Sequence, residues 1–125
     1  MSRIILLTAS MLAWMAAGTS PLPAIDCEGA DCRGRTIACP EGADCTVRCE
    51  GEEACRDARF VAPRDHKMVV TCNGEAACAS ATFTGNLDVR CDGANACHET
   101  ELSCGATSCD WLCVDDEACA GLVVR

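Results

Sequence analysis

The sequence has no tyrosine, and its aromatic residues are Trp14, Phe60, Phe83 and Trp111. A chain this poor in large rings has difficulty building a sufficient apolar core from side chains alone. The same shortage argues against sugar binding by ring stacking. Positive charge is also scarce: 10 Lys+Arg stand against 19 Asp+Glu, for a net charge of −9. That excludes nucleic acid and anionic membrane surfaces as expected partners, because both need a basic footprint. There is no Asn-x-Ser/Thr site, since Asn73, Asn86 and Asn95 all fail the rule.

Long apolar runs are missing as well, with one exception at the N-terminus. A short positive start, MSR, precedes Ile4 to Ala17, and the small residues Ala16-Ala17-Gly18 and then Pro21 and Pro23 follow. This is the layout of a secretory signal peptide over residues 1–18, with cleavage as late as residue 24 as the second choice. The run is shorter than the roughly 18 apolar residues a membrane anchor needs. Cleavage at 18 removes Arg3 and no acid, which lowers the net charge by one to −10. The mature protein is therefore expected to be secreted, strongly acidic and free of the membrane.

What the chain has in abundance is cysteine. Its 14 cysteines in 125 residues match the density of exported disulfide scaffolds. Cys27, Cys49, Cys72, Cys91 and Cys113 recur at steps of 22, 23, 19 and 22 residues. Each opens a small loop closed by a second cysteine: CEGADC, CEGEEAC, CNGEAAC, CDGANAC and CVDDEAC. The fifth residue after each closing cysteine is apolar: Ile37, Phe60, Phe83, Leu102 and Val124. Two places before each later start lie Val47, Val70, Val89 and Trp111, and four places before lie Cys45, Met68, Leu87 and Cys109. Those positions share parity with the starting cysteine, so on a strand they point to one face. The segments CTVRC, MVVTC, LDVRC and CDWLC read as half-buried strands, and a second strand is expected around RTIAC, RFVAP, TFTGN or ELSCG.

Repeats of about 20 residues with two short strands each, separated by glycine-containing corners, fit a solenoid in which every turn buries its apolar column against its neighbours. The fold class expected is all-β: a short, disulfide-stapled parallel β-helix of about four to five turns over residues 27–125. CPEGADC and CGATSC add cysteine pairs in the first and fourth turns, where other turns carry Ala62 with Met68 and Gly85 with Leu87. End turns have one packing neighbour and gain most from a staple.

The connectivity that preserves the repeat is Cys27–Cys32, Cys39–Cys45, Cys49–Cys55, Cys72–Cys78, Cys91–Cys97, Cys104–Cys109 and Cys113–Cys119. Cysteine count alone never dictates pairing, and rung-to-rung bridges between stacked strands are the rival. A zinc site is disfavoured because the loops are mostly C-x₅-C rather than C-x₂₋₄-C.

Residues with catalytic potential are sparse. His66 and His98 lie in unlike contexts without a serine nucleophile motif, and complete cysteine pairing leaves no thiol for a Cys-His pair. Arg48 and Arg90 share one outward column, with Asp88 and Asp110 in the next, an arrangement reminiscent of longer β-helical polysaccharide-cleaving enzymes. About four turns are too few for a comparable cleft. Ice binding through threonine arrays is not favoured either, since only Thr82 and Thr84 form a Thr-x-Thr pair. Asp31, Asp44, Glu52, Glu53, Glu75, Asp115, Asp116 and Glu117 sit in small loops. Repeated at one corner, they could form an acidic stripe for Ca²⁺ or a basic protein, or simply a solvated face.

The units CEGEEAC, CNGEAAC and CDGANAC, each followed by a large apolar residue, resemble the C-x-G-x-x-A-C repeats of secreted cysteine-rich proteins of microbial eukaryotes. The resemblance spans about Cys27 to Arg125 and implies a right-handed β-helix, with no catalytic or binding residues to carry over. CVDDEAC lacks the glycine, and CEGADC and CGATSC are one residue short.

The function expected is a secreted, non-enzymatic structural or binding module with a rigid acidic surface, requiring no cofactor. Its partner would be an extracellular protein or a cation, and exposed strand edges would permit end-to-end self-association. The alternative is a small effector or inhibitor acting through a projecting loop, the longest irregular insert being VAPRDHK, Val61 to Lys67.

Overall fold

A computed structural model describes residues 24–104, 109–115 and 117–125. Among these are ten strands: β1 (Ala24–Glu28), β2 (Thr36–Ala38), β3 (Cys45–Glu50), β4 (Arg59–Val61), β5 (Lys67–Asn73), β6 (Thr82–Thr84), β7 (Asn86–Asp92), β8 (Glu101–Ser103), β9 (Cys109–Cys113) and β10 (Val123–Val124). Odd-numbered strands form one parallel sheet in the order β1-β3-β5-β7-β9, and even-numbered strands form a second in the order β10-β8-β6-β4-β2. The chain is an all-β solenoid of about four turns, closed by seven disulfides. The first strand begins three residues before Cys27, a segment the repeat did not mark because only Ile25 signals it. β10 is two residues long and consists of the final apolar pair.

The period-two reading of the strands explains the core. In the odd-numbered sheet, Cys49 pairs with Cys72, Cys72 with Cys91, and Cys91 with Cys113. Val47, Val70 and Val89 form the next inward column and are fully buried. From the other sheet, Ile37, Phe60, Phe83 and Leu102 stand in register and face them. Stacked strands lie about 4.8 Å apart, so identical side chains on successive rungs must lie face on face. Phe60 and Phe83 do so, with ring centroids 4.6 Å apart and planes within 5°.

The third side of each turn is the small cysteine loop, and its packing accounts for the C-x-G-x-x-A-C frame. The alanine before the closing cysteine, Ala54, Ala77, Ala96 or Ala118, is fully buried. There the chain of one turn hydrogen-bonds to the next: the Cys55 N–H donates to the Ala77 carbonyl, Cys78 to Ala96 and Cys97 to Ala118, each at 2.6 Å. A larger side chain in that column would push the rungs apart. The glycine has a second role. Gly74 and Gly93 adopt φ of 131° and 123°, and a Cβ on either would lie 2.7–2.8 Å from the carbonyl oxygen of the glycine one turn before it. The frame is thus shaped by the contact between turns.

Cys39, Ala62, Gly85 and Cys104 hold equivalent places at the opposite corner, where the Ala62 N–H donates to Thr84 and the Gly85 N–H to Ser103. Across the corner, Cys45, Met68, Leu87 and Cys109 pair in register. The bridges Cys39–Cys45 and Cys104–Cys109 therefore occupy the positions of Ala62 with Met68 and Gly85 with Leu87 in the two middle turns.

One core expectation needs correction. Trp111 keeps the register of the valine column, pairing with Val89, yet it is 43% exposed. Among the described residues no further turn covers the inward side of this rung.

Candidate functional site

The cysteine loops bring part of the acidic set together. Glu28, Glu50, Asn73 and Asp92 follow the opening cysteines and pair in register from β1 to β7. Glu52 and Glu75 take equivalent places two residues further on. The backbone under them is laddered: Gly51 donates to the Asn73 carbonyl at 2.9 Å, Glu53 to Glu75 at 3.0 Å and Gly74 to Asp92 at 2.9 Å. Each loop is also crosslinked at its ends, by Cys49–Cys55, Cys72–Cys78 or Cys91–Cys97. The carboxylates thus ride on backbone that is held both within each turn and between turns. Asp31 and Glu117 lie exposed at the terminal loops, and Asp115 accepts a hydrogen bond from the Glu117 N–H at 3.1 Å. Asp116 lies outside the described residues.

Two features depart from an unbroken acidic stripe. Glu53 is neutralised: its carboxylate contacts Arg56 and lies 3.9 Å from Arg33, whose guanidinium also donates to the Glu53 carbonyl at 2.9 Å. Both arginines follow a closing cysteine, a repeat position that could have flagged them. Asp44 belongs to the opposite corner altogether and adds nothing to the stripe. It precedes Cys45, at the entry to β3, where its Oδ1 accepts the Lys67 N–H at 3.0 Å and meets His66 Nδ1 at 3.0 Å.

That contact defines the 61–67 insert. Val61 closes β4, Ala62 is buried, Lys67 opens β5, and the His66 N–H donates to the Pro63 carbonyl at 3.2 Å. Arg64 and Asp65 are exposed at the tip, with Asp65 in the left-handed region at φ 64°. The insert is a short turn tied to the turn below it. The hydrogen bond from the Lys67 backbone, and secondarily the His66 ring, hold the Asp44 carboxyl below its usual range. A lowered carboxyl pKa in the folded state means the tether is complete above the ordinary value near 3.8 and is lost as pH falls through the lower folded value. The Lys67 amide should accordingly titrate by NMR in the acid range and exchange faster in Asp44→Ala, where the titration disappears. An unchanged Lys67 titration in that variant would refute the tether.

The remaining candidates are spread out. His98 sits on the cysteine-loop side, its Nε2 3.6 Å from Glu99 Oε1, far in sequence and corner from His66. Arg48 and Arg90 flank Thr71 in one outward column, and Asp88 and Asp110 are register neighbours in the adjacent one. In the even-numbered sheet, Thr36, Arg59, Thr82 and Glu101 form one outward column and Ala38, Val61, Thr84 and Ser103 another. The sulfurs of Cys27, Cys32 and Cys55 cluster within 4.8 Å, as do those of Cys49, Cys55 and Cys78. All of them are consumed in disulfides, so they offer no thiolate to a metal. The richness in disulfides is itself typical of extracellular proteins. Comparison with protein-family models, curated proteins and solved structures finds no match to this chain.

Proposed function

We propose that the chain is an exported, non-enzymatic binding or structural module that presents carboxylates on a prearranged corner to a basic extracellular protein or a cation. The observation that supports this most is the backbone ladder beneath Glu50, Glu52, Glu75 and Asp92. Side chains on such a support are already positioned, so a partner meets them with less ordering cost than on a mobile loop. The N-terminal leader read from the sequence supports export.

Titration calorimetry on the oxidised protein, with a lysine-rich peptide and separately with Ca²⁺, tests the reading. Binding should weaken with salt, and Glu50→Gln, Glu52→Gln, Glu75→Gln and Asp92→Asn together should reduce affinity at least tenfold, about 1.4 kcal/mol. Equal affinity in the quadruple variant would overturn it. A second reading, an effector acting through the 61–67 turn, draws on the exposed Arg64 and Asp65 at a tethered tip. Changing Arg64 and Asp65 to serine would then abolish partner binding, whereas the quadruple corner variant would still bind.

A further inference from the structure

The two ends of the solenoid differ. At the first turn most inward residues are covered although β1 and β2 are sheet edges: Cys27 is 0% exposed, Ile37 6% and Cys39 7%, with Ile25 partly buried. At the last turn they are open. Trp111 and Val124, which continue the columns of Val89 and Leu102, are 43% and 41% exposed, against 0% for both residues in the turn before. Leu112, Val114 and Val123 beside them are 47–52% exposed. These five are the exposed large hydrophobic residues among the described residues, and all lie on one end. The same end presents the free edges of β9 and β10, with unpaired backbone groups along each.

We infer that this end is an interface, and that its occupant is a second copy of the same chain, joined last turn to last turn. Three observations favour this partner over a head-to-tail stack. The first turn offers a less open core to Trp111 and Val124, because Cys27, Ile37 and Cys39 are buried and Ile25, its counterpart of Trp111, is partly buried. Continuing the register from β9 onto the β1 of another copy would set Leu112 beside Asp26 and Val114 beside Glu28. It would also bring Glu117 towards Asp31, acid on acid. A two-fold axis normal to the sheets avoids that meeting. It runs β9 antiparallel to its copy and β10 to its copy, joins the two open cores, and sends the acidic corners to opposite sides. An interface of this kind is closed and self-complementary, the commonest form of oligomer, and it leaves no free edge at that end.

The experiment is sedimentation equilibrium of the oxidised, processed protein, with emission of Trp111, the only tryptophan after the leader, followed on dilution. A mass twice that of the monomer is expected at micromolar concentration, and Trp111 emission should shift to the red as the dimer dissociates. Val123→Lys and Val124→Lys should each yield monomer with unchanged circular dichroism, whereas Thr36→Lys at the first turn should leave the dimer intact. A wild-type protein that stays monomeric would overturn the inference. So would a mass that keeps growing with concentration, or dissociation by Thr36→Lys, since both signify head-to-tail assembly.

Discussion

Treated with excess dithiol at neutral pH, the protein should lose its β-type circular dichroism and its amide dispersion together and become an unfolded chain. The reason is the size of what remains without sulfur. The largest fully buried side chains are Phe60, Phe83, Met68, Leu87 and Leu102, and the third side of each turn is filled by alanine. Each disulfide closes a loop with a sequence separation of 5 or 6. Such a loop contributes roughly 2 kcal/mol in the chain-entropy treatment. Seven together reach about 15 kcal/mol as an upper bound, since contributions in contact do not simply add. Net stabilities of domains are about 5–15 kcal/mol, so the bridges are comparable with the whole margin. Alkylation under native conditions should find no free thiol in the untreated protein. A reduced sample that kept native amide dispersion would show that burial alone holds the turns.

Gly74→Ala should be the most damaging conservative substitution on the cysteine-loop side. The new methyl would lie 2.7 Å from the Gly51 carbonyl oxygen and 2.8 Å from its carbon, backbone atoms of a residue whose N–H is laddered to Asn73 and whose carbonyl accepts from Ala54. Its φ of 131° also lies where L-residues are strained. Backbone strain of about 1–3 kcal/mol and overpacking of a similar size combine to roughly 2–6 kcal/mol. Gly51→Ala separates the two causes. Gly51 has φ 108° but nothing within 4 Å of its would-be Cβ, so only the strain of about 1–3 kcal/mol applies. Denaturant midpoints of the oxidised variants measure both. Equal losses for the two would show that the approach between turns carries no cost.

The rungs were legible from spacing because a parallel register repeats the same environment at the same offset. Ile37, Phe60, Phe83, Leu102 and Val124 could be aligned by counting from the closing cysteines, and they are register partners in the structure. β1 was less legible, since Ala24 and Asp26 give no strand signal and only the pairing with β3 makes them one. The acidic site was legible only in part. Glu52 and Glu75 were read from the loop repeat, whereas Glu50 and Asp92 came from the strand register and the pairing of Glu53 with Arg33 from the turn beside it.

The rungs, the corners and the shortage of core that calls for crosslinks are written in the chain's spacing, because each depends on offsets along one strand or loop. That Asp44 holds the 61–67 turn instead of joining the stripe, that the first turn is better covered than the last and that Trp111 is left open came from the packing of turns. Those outcomes depend on which atoms another turn places nearby. A periodic pattern states where a side chain points, and the neighbouring turn, present or missing, sets what it meets.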